Sequence, residues 1–224
     1  MSTTPPSNER LDQDAPDTIR LSVAEATALM AALALDRQHT ALLIADFYAA
    51  ILPTLPHAVD RQVVEHTQRL QRAARQAQLF VCYCATVFRP GYIEISERNK
   101  TFSARKHSGQ PAISDPVQLI HPAVRPMEGE VVVGKHRVNA LYGTALDLIL
   151  RANDRDTLII LGYATSGVVL STVRFAADLD YRLIVAENCC ADQDPDVHDF
   201  LTQRLLPRQA EVVTSNDVIQ ALMA

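Results

Sequence analysis

The stretch Thr157-Leu-Ile-Ile-Leu-Gly162-Tyr-Ala-Thr-Ser-Gly-Val168-Val-Leu-Ser-Thr172 decides the fold class of this chain. A continuous apolar run that ends in glycine is typical of a strand buried on both faces of a sheet. The apolar residues after the turn recur at helical spacing, and Ser166 is the predicted N-cap. The stretch therefore predicts a strand that turns sharply into a helix, with backbone N–H groups facing a crevice. An ordinary strand–helix unit without a site has the same pattern.

The same alternation of strands and helices runs through the rest of the chain. Strands are predicted at 40–46, 79–85, 130–134, 157–162, 182–187 and 211–214, and helices at 60–78, within 139–153, after Ser166, at 196–206 and at 217–223. Such alternation predicts an α/β fold, specifically a Rossmann-like three-layer α/β/α sandwich around a central, mostly parallel sheet of about six strands. The segment 86–129 is long and rich in turn residues, which favours a functional loop or a subunit contact.

The N-terminal region differs from the remainder in composition. Residues 1–18 are rich in Pro, Ser, Thr and Asp and nearly free of apolar side chains, so a flexible tail is predicted there. Ser22-Val-Ala-Glu25 has the form of a capping box, which predicts a helix over 22–35. Residues 19–224 are therefore predicted to form a single domain that begins with this helix.

Composition excludes several classes of protein. The 224 residues carry a mild net charge of −5 with the signs interspersed, which argues against nucleic-acid and membrane partners. Without an apolar span or a secretory pattern, a cytoplasmic location is expected. The cysteines occur as Cys82-x-Cys84 and Cys189-Cys190, spacings that fit neither a disulfide framework nor a zinc site. We therefore expect no metal and no cofactor, and we expect Cys82 and Cys84, which lie within an apolar run, to be buried.

Three predicted strand ends carry groups suited to chemistry. Asp46 follows the first strand, Lys135 follows the third, and the turn 162–168 follows the fourth. In a parallel sheet these ends lie at one edge, so a carboxylate, an ammonium and a set of backbone amides can share one pocket. The pair is suited to general acid–base catalysis with charge stabilisation. Taken singly, Asp46 also fits an ordinary strand-end acid, and Lys135 a solvated surface lysine.

Four motifs, taken in order, resemble the isochorismatase-like hydrolase superfamily, which includes isochorismatases, nicotinamidases and N-carbamoyl amide hydrolases. They are Thr40-Ala-Leu-Leu-Ile-Ala-Asp46, Val133-Gly-Lys135-His-Arg-Val-Asn-Ala-Leu-Tyr-Gly-Thr144, Gly162-Tyr-Ala-Thr-Ser-Gly-Val168 and Asn188-Cys-Cys-Ala-Asp192. The resemblance runs from about residue 40 to 213. It implies a Rossmann-like fold, a small-molecule substrate and a homo-oligomer, either a dimer or a tetramer.

The resemblance also implies a catalytic triad of Asp, Lys and Cys. Asp46 and Lys135 match the first two members, but Val168 stands at the position of the cysteine. Because valine has no nucleophilic atom, amide hydrolysis through a thioester is disfavoured. The family's isochorismatases also lack the cysteine and cleave a vinyl ether by proton transfer and water addition. A hydrolase of that type, using Asp46 and Lys135, is the leading hypothesis, and a protein that binds a small molecule or partner without turnover is the alternative.

The resemblance assigns further residues to the pocket. It implies a cis peptide at Tyr163–Ala164, and the amides of the turn are candidates for holding negative charge. Phe47 and Tyr48 are candidates for stacking on a planar ligand, although packing against the next helix is an equal possibility. Where many relatives have an acid, an aromatic and a second acid, this chain has Ala49 and Ala50, Leu141 and Asn188, and the metal ligands of nicotinamidases are not recognisable. The remaining candidates are Ala164, Thr165, Gly167 and Val168 for the amides, and Arg89, Tyr92, Asn99, Arg137 and Tyr163 for substrate binding.

Overall fold

The computed structural model describes residues 33–224, which form one compact unit. Six strands make one sheet in the order β3-β2-β1-β4-β5-β6, and every neighbouring pair is parallel. The predicted Rossmann-like architecture with a parallel sheet is confirmed. The strands are β1 Thr40–Ala45, β2 Phe80–Thr86, β3 Val131–Lys135, β4 Thr157–Tyr163, β5 Arg182–Ala191 and β6 Glu211–Val213.

The α-helices connect successive strands, as parallel pairing requires. In the described part of the chain they are α1 Pro56–Asp60, α2 Val63–Gln76, α3 Ser103–Lys106, α4 Leu146–Ala152, α5 Leu170–Ala177, α6 Pro195–Phe200 and α7 Ser215–Met223. From β1 the chain moves towards β3, and from β4 it moves the other way towards β6. With right-handed crossovers this reversal puts helices on both faces of the sheet. It also opens a crevice between the carboxyl ends of β1 and β4.

The central strands form the core because they are apolar on both faces. Every residue of β1 is buried, and β4 is buried from Thr157 to Gly162. Burial on both sides explains why these segments read as continuous apolar runs and not as alternating ones. Cys82 and Cys84 are buried free thiols, as predicted, and Cys189 and Cys190 are buried free thiols as well.

Gly162 is required where the end of β4 pairs with the end of β1. Its φ of +150° is a conformation that side chains rarely adopt, and a Cβ there would lie 2.0 Å from the carbonyl oxygen of Ala45. Only glycine allows the two backbones to approach this closely. The glycine therefore sets the spacing between the two strand ends that flank the crevice.

Strand β5 is longer than the prediction, which ended it at Glu187. Between the pairs Ile160–Val185 and Gly162–Cys190 the register shifts, so β5 uses five residues where β4 uses two. This irregularity lets the strand bulge and then pair again up to Ala191. The apolar Cys189-Cys190-Ala191 run that continues the strand is buried.

Several predicted helix boundaries were wrong. The helix predicted over 60–78 extends only over Val63–Gln76, because Gln62 has φ +51° and separates it from α1, which ends at Asp60. The predicted helix over 22–35 lies outside the described residues except for 33–35, which have no helical structure. There Leu33 and Leu35 pack against the core, and Arg182 Nη1 donates to the carbonyl of Ala34 at 2.6 Å. The helix predicted over 196–206 changes at Leu201 into a wider turn, Leu201–Leu205.

Candidate active site

Asp46 and Lys135 form a buried ion pair at the carboxyl edge of the sheet. Asp46 Oδ2 lies 2.6 Å from Lys135 Nζ, and the two side chains are 8% and 1% exposed. Asp46 directly follows β1, while Lys135 is the last residue of β3. The two residues are brought together as the sequence predicted. Burying such a pair costs hydration energy, so both charges need further hydrogen bonds in order to persist.

Thr86 joins the two charged groups, and sequence reasoning missed it. Strand β2 lies between β1 and β3, and its last residue, Thr86, is in register with Lys135. Its Oγ1 accepts from Lys135 Nζ at 2.6 Å and donates to Asp46 Oδ1 at 3.2 Å. Its backbone N–H also donates to Asp46 Oδ1 at 3.0 Å. The only signal in the sequence was its place at the end of an apolar run.

Tyr48 completes the surroundings of Asp46. Its hydroxyl donates to Asp46 Oδ1 at 2.5 Å and accepts from the Thr86 N–H at 3.0 Å. Burial and the charge of Asp46 raise the pKa of Tyr48 well above its ordinary value, so the phenol stays neutral. Both oxygens of Asp46 therefore face donors. The structure places Tyr48 in this network through its hydroxyl, whereas the sequence suggested its ring.

Arg137 lies beside the pair. Its carbonyl oxygen accepts from Lys135 Nζ at 3.1 Å, and its guanidinium donates to the carbonyls of His136 at 2.5 Å and of Glu94 at 3.1 Å. These carbonyl partners fix the guanidinium without neutralising its charge. Arg137 thus contacts the pair through its backbone carbonyl, and its half-buried guanidinium is held by the His136 and Glu94 carbonyls.

The turn after β4 has the predicted cis peptide at Tyr163–Ala164. Val168, which the sequence resemblance assigns to the cysteine position, is buried at 1% exposure, and Thr165 is fully buried. The Gly167 N–H donates to the carbonyl of Ala164 at 3.0 Å, so that amide is already used within the turn. Gly167 itself departs from helical geometry, with φ −96° and ψ −105°.

The prediction that Ser166 caps the following helix was wrong. The helical segment starts with a wide turn over Thr165–Val169, and no side chain caps it. Instead the Ser166 N–H donates to Asp192 Oδ2 at 2.6 Å, and Gln193 N–H donates to Asp192 Oδ1 at 2.9 Å. Asp192, at the end of β5, supplies from another strand the acceptor that a local cap would have supplied. Burial of Tyr163 and the charge of Asp192 both raise the pKa of Tyr163.

The substrate-binding candidates in the long loop, Arg89, Tyr92 and Asn99, all make contacts within that loop. Arg89 pairs with Glu94 at 2.7 Å and is 62% exposed. Tyr92 is buried in a small cluster with Phe88 and Ile95, and its hydroxyl donates to Gln110 O at 2.9 Å. Tyr92 therefore has packing and hydrogen-bond partners within the long loop. Asn99 Oδ1 accepts from the N–H groups of Thr101 and Phe102, each at 3.1 Å.

Phe47 packs in the core, the alternative that the sequence left open. It is 1% exposed and meets the His121 ring edge-on, with centroids 6.4 Å apart. Leu141 is also buried in the core. Asn188 Oδ1 accepts from the first backbone N–H of the last helix, that of Ser215, at 2.7 Å. Packing or hydrogen bonding within the fold therefore accounts for Phe47, Leu141 and Asn188.

None of the four cysteines is poised as a nucleophile. Burial raises the pKa of Cys84 and of Cys189 to about 12, and raises those of Cys82 and Cys190 further. A thiol with such a pKa has almost no thiolate near neutral pH. Among residues 33–224, no three His, Cys, Asp or Glu side chains are grouped so as to hold a metal ion. Nor does any helix in this part of the chain have the length and apolar character to cross a membrane.

The fold and site define a Rossmann-like α/β protein with a buried Asp–Lys pair at the carboxyl edge of its sheet. The chain belongs to the isochorismatase family, because residues 40–217 match the Isochorismatase domain. It is 29% identical over 193 residues to a probable isochorismatase of Pseudomonas chlororaphis, covering 85% of this chain and 89% of that protein. It is 30% identical over 164 residues to N-carbamoylsarcosine amidase of an Arthrobacter species, covering 72% of this chain and 62% of that protein. An isochorismatase family protein from Burkholderia thailandensis superimposes with a TM-score of 0.71 at 27% identity, covering 85% of this chain and 98% of that one.

Proposed function

We propose that this protein is an isochorismatase-type hydrolase that cleaves a vinyl ether in a small molecule without a cysteine nucleophile. The observation that carries the proposal is the buried contact between Asp46 Oδ2 and Lys135 Nζ, 2.6 Å apart, in a site where position 168 is valine. An amidase of this family needs a nucleophile that this chain lacks. Proton transfer followed by water addition needs only the acid–base pair.

In the proposed reaction, Asp46 in its acid form donates a proton to the substrate, and its carboxylate takes back the proton that the added water releases. A proton adds to the terminal carbon of the vinyl group, water adds to the resulting oxocarbenium carbon, and the hemiketal collapses to a ketone and an alcohol. Asp46 returns to the carboxylate as the positive charge develops, and that carboxylate stabilises the cation. Lys135 Nζ, which contacts Asp46 Oδ2, stabilises the carboxylate that forms as the proton leaves. The hydroxyls of Tyr48 and Thr86, which contact Oδ1, give the carboxylate a path for recovering its proton.

The substrate is proposed to be a small carboxylic acid. Arg137 is fixed by two carbonyl oxygens beside Lys135, and a guanidinium held in this way pairs well with a carboxylate. Tyr163, half-buried on the turn, is the aromatic side chain proposed to contact the substrate. The remaining amides of the turn, those of Ala164, Thr165 and Val168, are proposed to hold negative charge on the product side.

The experiment is pyruvate release from isochorismate by the purified protein, coupled to NADH oxidation by lactate dehydrogenase. Asp46→Asn is expected to lose about 10²- to 10⁴-fold in rate, the usual contribution of general acid–base catalysis. The matched control is Asp147→Asn, since Asp147 is a surface acid paired with Arg151 on α4. The parent, which has valine at position 168, is expected to release pyruvate without the substitution Val168→Cys. Parent protein without pyruvate release would contradict the vinyl-ether proposal.

Removing one charge of a buried pair also destabilises the fold, by about 3–5 kcal/mol. The Asp46→Asn effect must therefore be separated from unfolding. The double variant Asp46→Asn/Lys135→Met removes both charges and is expected to recover part of the stability without any activity. Recovery of activity in the double variant would rule out a catalytic role for the pair.

A second candidate function is binding without turnover. It is favoured by the many donors around Asp46. Its two carboxylate oxygens contact Lys135 Nζ and accept hydrogen bonds from the Tyr48 hydroxyl and from the N–H and hydroxyl of Thr86. A carboxylate with so many donors can serve as a structural anchor alone. Thermal shift with small carboxylic acids tests this candidate, because a ligand raises the unfolding temperature only if it binds the folded state. A shift without turnover of isochorismate would favour the binding protein.

We further propose a cytoplasmic homo-oligomer, a dimer or tetramer, as the resemblance implies. Light scattering coupled to size exclusion tests the assembly directly. A mass of 24.7 kDa, that of one chain, would contradict it.

A further inference from the structure

Asp192 is a buried carboxylate to which the proposed reaction assigns no role. It directly follows β5 and is 5% exposed. Its Oδ2 accepts from the Ser166 N–H at 2.6 Å, and its Oδ1 accepts from the Gln193 N–H at 2.9 Å. Within the described part of the chain, no lysine, arginine or histidine side chain forms an ion pair with Asp192. Backbone amides are therefore the groups that stabilise this carboxylate.

The pairing of β5 with β4 places Asp192 beside the turn at 164–168. Beyond the bulge in β5 the two strands pair again, and Tyr163 is level with Ala191. Asp192, the next residue, consequently lies level with the first residue of the turn. The Ser166 N–H has no acceptor from a local cap, because no side chain caps this helical segment. The bulge thus brings an acceptor from β5 to an amide that has no capping side chain nearby in the sequence.

Two other N–H groups of the turn bond within it. Gly167 N–H and Val169 N–H both donate to the Ala164 carbonyl, at 3.0 and 3.3 Å. The Ser166 N–H instead points out of the turn and reaches Asp192 at 2.6 Å. A hydrogen bond to an ionised carboxylate is about twice as strong as one between neutral groups. The bond to Asp192 therefore fixes how the turn, closed around one carbonyl, is oriented towards β5.

Thr165 makes a second attachment between the turn and its surroundings. Its side chain is fully buried, and its Oγ1 lies 3.1 Å from the Ala191 carbonyl oxygen and 2.8 Å from His198 Nδ1. These contacts do not involve the Ser166 amide. A variant that loses the bond to Asp192 should therefore keep the turn attached through Thr165, while the turn gains freedom to tilt at Ser166.

We propose that Asp192 is a positioning residue that orients the turn at 164–168 by holding the Ser166 N–H. The proposal rests on the proposed function in taking the amides of Ala164, Thr165 and Val168 as part of the active site. Donors aimed at developing charge act at hydrogen-bond distance, so a displacement of about 1 Å lowers the rate. Asp192 thus acts on the reaction through the backbone of the turn.

The first test is amide hydrogen exchange, followed by NMR in the whole protein without substrate. In Asp192→Asn the side chain keeps its shape but loses its charge and one acceptor oxygen. Gly167 and Val169, whose N–H groups bond within the turn, should exchange about tenfold faster or more than in the parent. Asp192→Ala should have a larger effect. Packing of the side chain alone predicts no change in Asp192→Asn, and that result would overturn the proposal.

Asp194→Asn is the matched control. Asp194 lies two residues further on, and its side chain accepts from the Asp196 N–H at 3.0 Å at the start of α6. Asparagine is about as good an N-cap as aspartate, so this variant removes a neighbouring negative charge and keeps the helix capped. The amides of the turn should exchange as in the parent. An increase equal to that in Asp192→Asn would show that loss of charge, and not of one bond, loosens the turn, and would also overturn the proposal.

Turnover of isochorismate gives the second readout. Asp192→Asn should lower kcat by about tenfold to 10²-fold while KM changes much less, because an interaction made in the transition state alone affects kcat and kcat/KM equally. An unchanged kcat in a variant whose turn exchanges faster would contradict the positioning role. If the parent releases no pyruvate, the proposed function fails, whereas the exchange rates still decide whether Asp192 holds the turn.

Discussion

At the scale of single residues, the site depends on hydrogen bonds that make two buried charges tolerable. The Asp46–Lys135 pair is nearly removed from solvent. A charged group that is buried this deeply without a partner either loses its charge or destabilises the fold. Thr86 bridges the two groups and Tyr48 adds a neutral donor. The chemistry of the pair therefore depends on two hydroxyl groups that carry no charge of their own.

Tyr48 offers a prediction about pH. Because burial and the negative charge of Asp46 raise its pKa, Tyr48 should remain protonated when exposed tyrosines ionise. In an alkaline titration followed at 295 nm, Tyr48→Phe should remove only a late part of the absorbance change. In Asp46→Asn, the same tyrosine should ionise at lower pH, since the repelling charge is gone. Tyr142→Phe, at an exposed tyrosine, is the matched control for the loss of one phenol.

The four cysteines provide a second prediction at this scale. All are buried, and burial raises their pKa values, for Cys84 and Cys189 to about 12. Native protein at pH 8 should therefore react with none of its thiols on addition of Ellman's reagent, and should show four after unfolding in guanidinium. Ser166→Cys, at an exposed position of the turn, should add one rapidly reacting thiol. Fast reaction of the parent would show that one of the native thiols is accessible.

At the scale of elements, the decisive contact is between β1 and β4. The site is assembled from the ends of β1, β2 and β3 and from the turn after β4, so its geometry depends on the spacing of the central strands. Gly162 sets that spacing, and the bulge in β5 lets the strand rejoin β4 at Cys190. Asp192, just beyond β5, then reaches the Ser166 amide.

Gly162→Ala tests the close approach of the two strands. The added Cβ would lie 2.0 Å from the Ala45 carbonyl oxygen, so the strands must separate, and we expect a loss of about 3 kcal/mol or more in the free energy of unfolding. The control is Gly129→Ala, which has φ +86° and nothing within 4 Å of the new atom. It should lose only about 1–2 kcal/mol, the cost of a left-handed side-chain residue. Equal losses in urea denaturation would show that steric contact with β1 is unimportant.

At the scale of the whole molecule, a second buried polar network ties the first half of the sheet to its helix. Glu130, next to β3, accepts from Arg75 Nε of α2 at 2.8 Å and from the Tyr83 hydroxyl of β2 at 3.0 Å. Burial pushes the pKa of Glu130 up, but these bonds outweigh it and lower the pKa. A lowered carboxyl pKa stabilises the fold above the ordinary value of 4.5, and this stabilisation is lost as the pH falls below it.

Glu130→Gln should therefore change the acid stability of the molecule. At pH 7 we expect a loss of about 1.5–3 kcal/mol, typical of hydrogen bonds to a charged group. Between about pH 5 and pH 3, the unfolding free energy of the variant should fall less steeply than that of the parent. Glu211→Gln is the control, because the Arg182–Glu211 pair is 41% and 47% exposed and should contribute under about 1 kcal/mol. If the unfolding free energies of the parent and of Glu130→Gln fall in parallel over this pH range, the loss of acid stability does not come from Glu130.

The sequence by itself determined the parallel α/β architecture, because apolar runs such as 40–45 and 157–162 record burial on both faces and the helices between them force parallel pairing. It also determined that Asp46 and Lys135 meet, since strand ends in a parallel sheet share an edge. Only the tertiary structure decided which groups surround them. Contacts between segments far apart in the chain bring in Thr86, Asp192 and the Tyr48 hydroxyl, which accepts from the Thr86 N–H. The packing of Tyr92 and the length of β5 depend likewise on neighbouring elements. Local patterns of spacing and propensity contain no information about those distances, which are set by how the strands and helices pack.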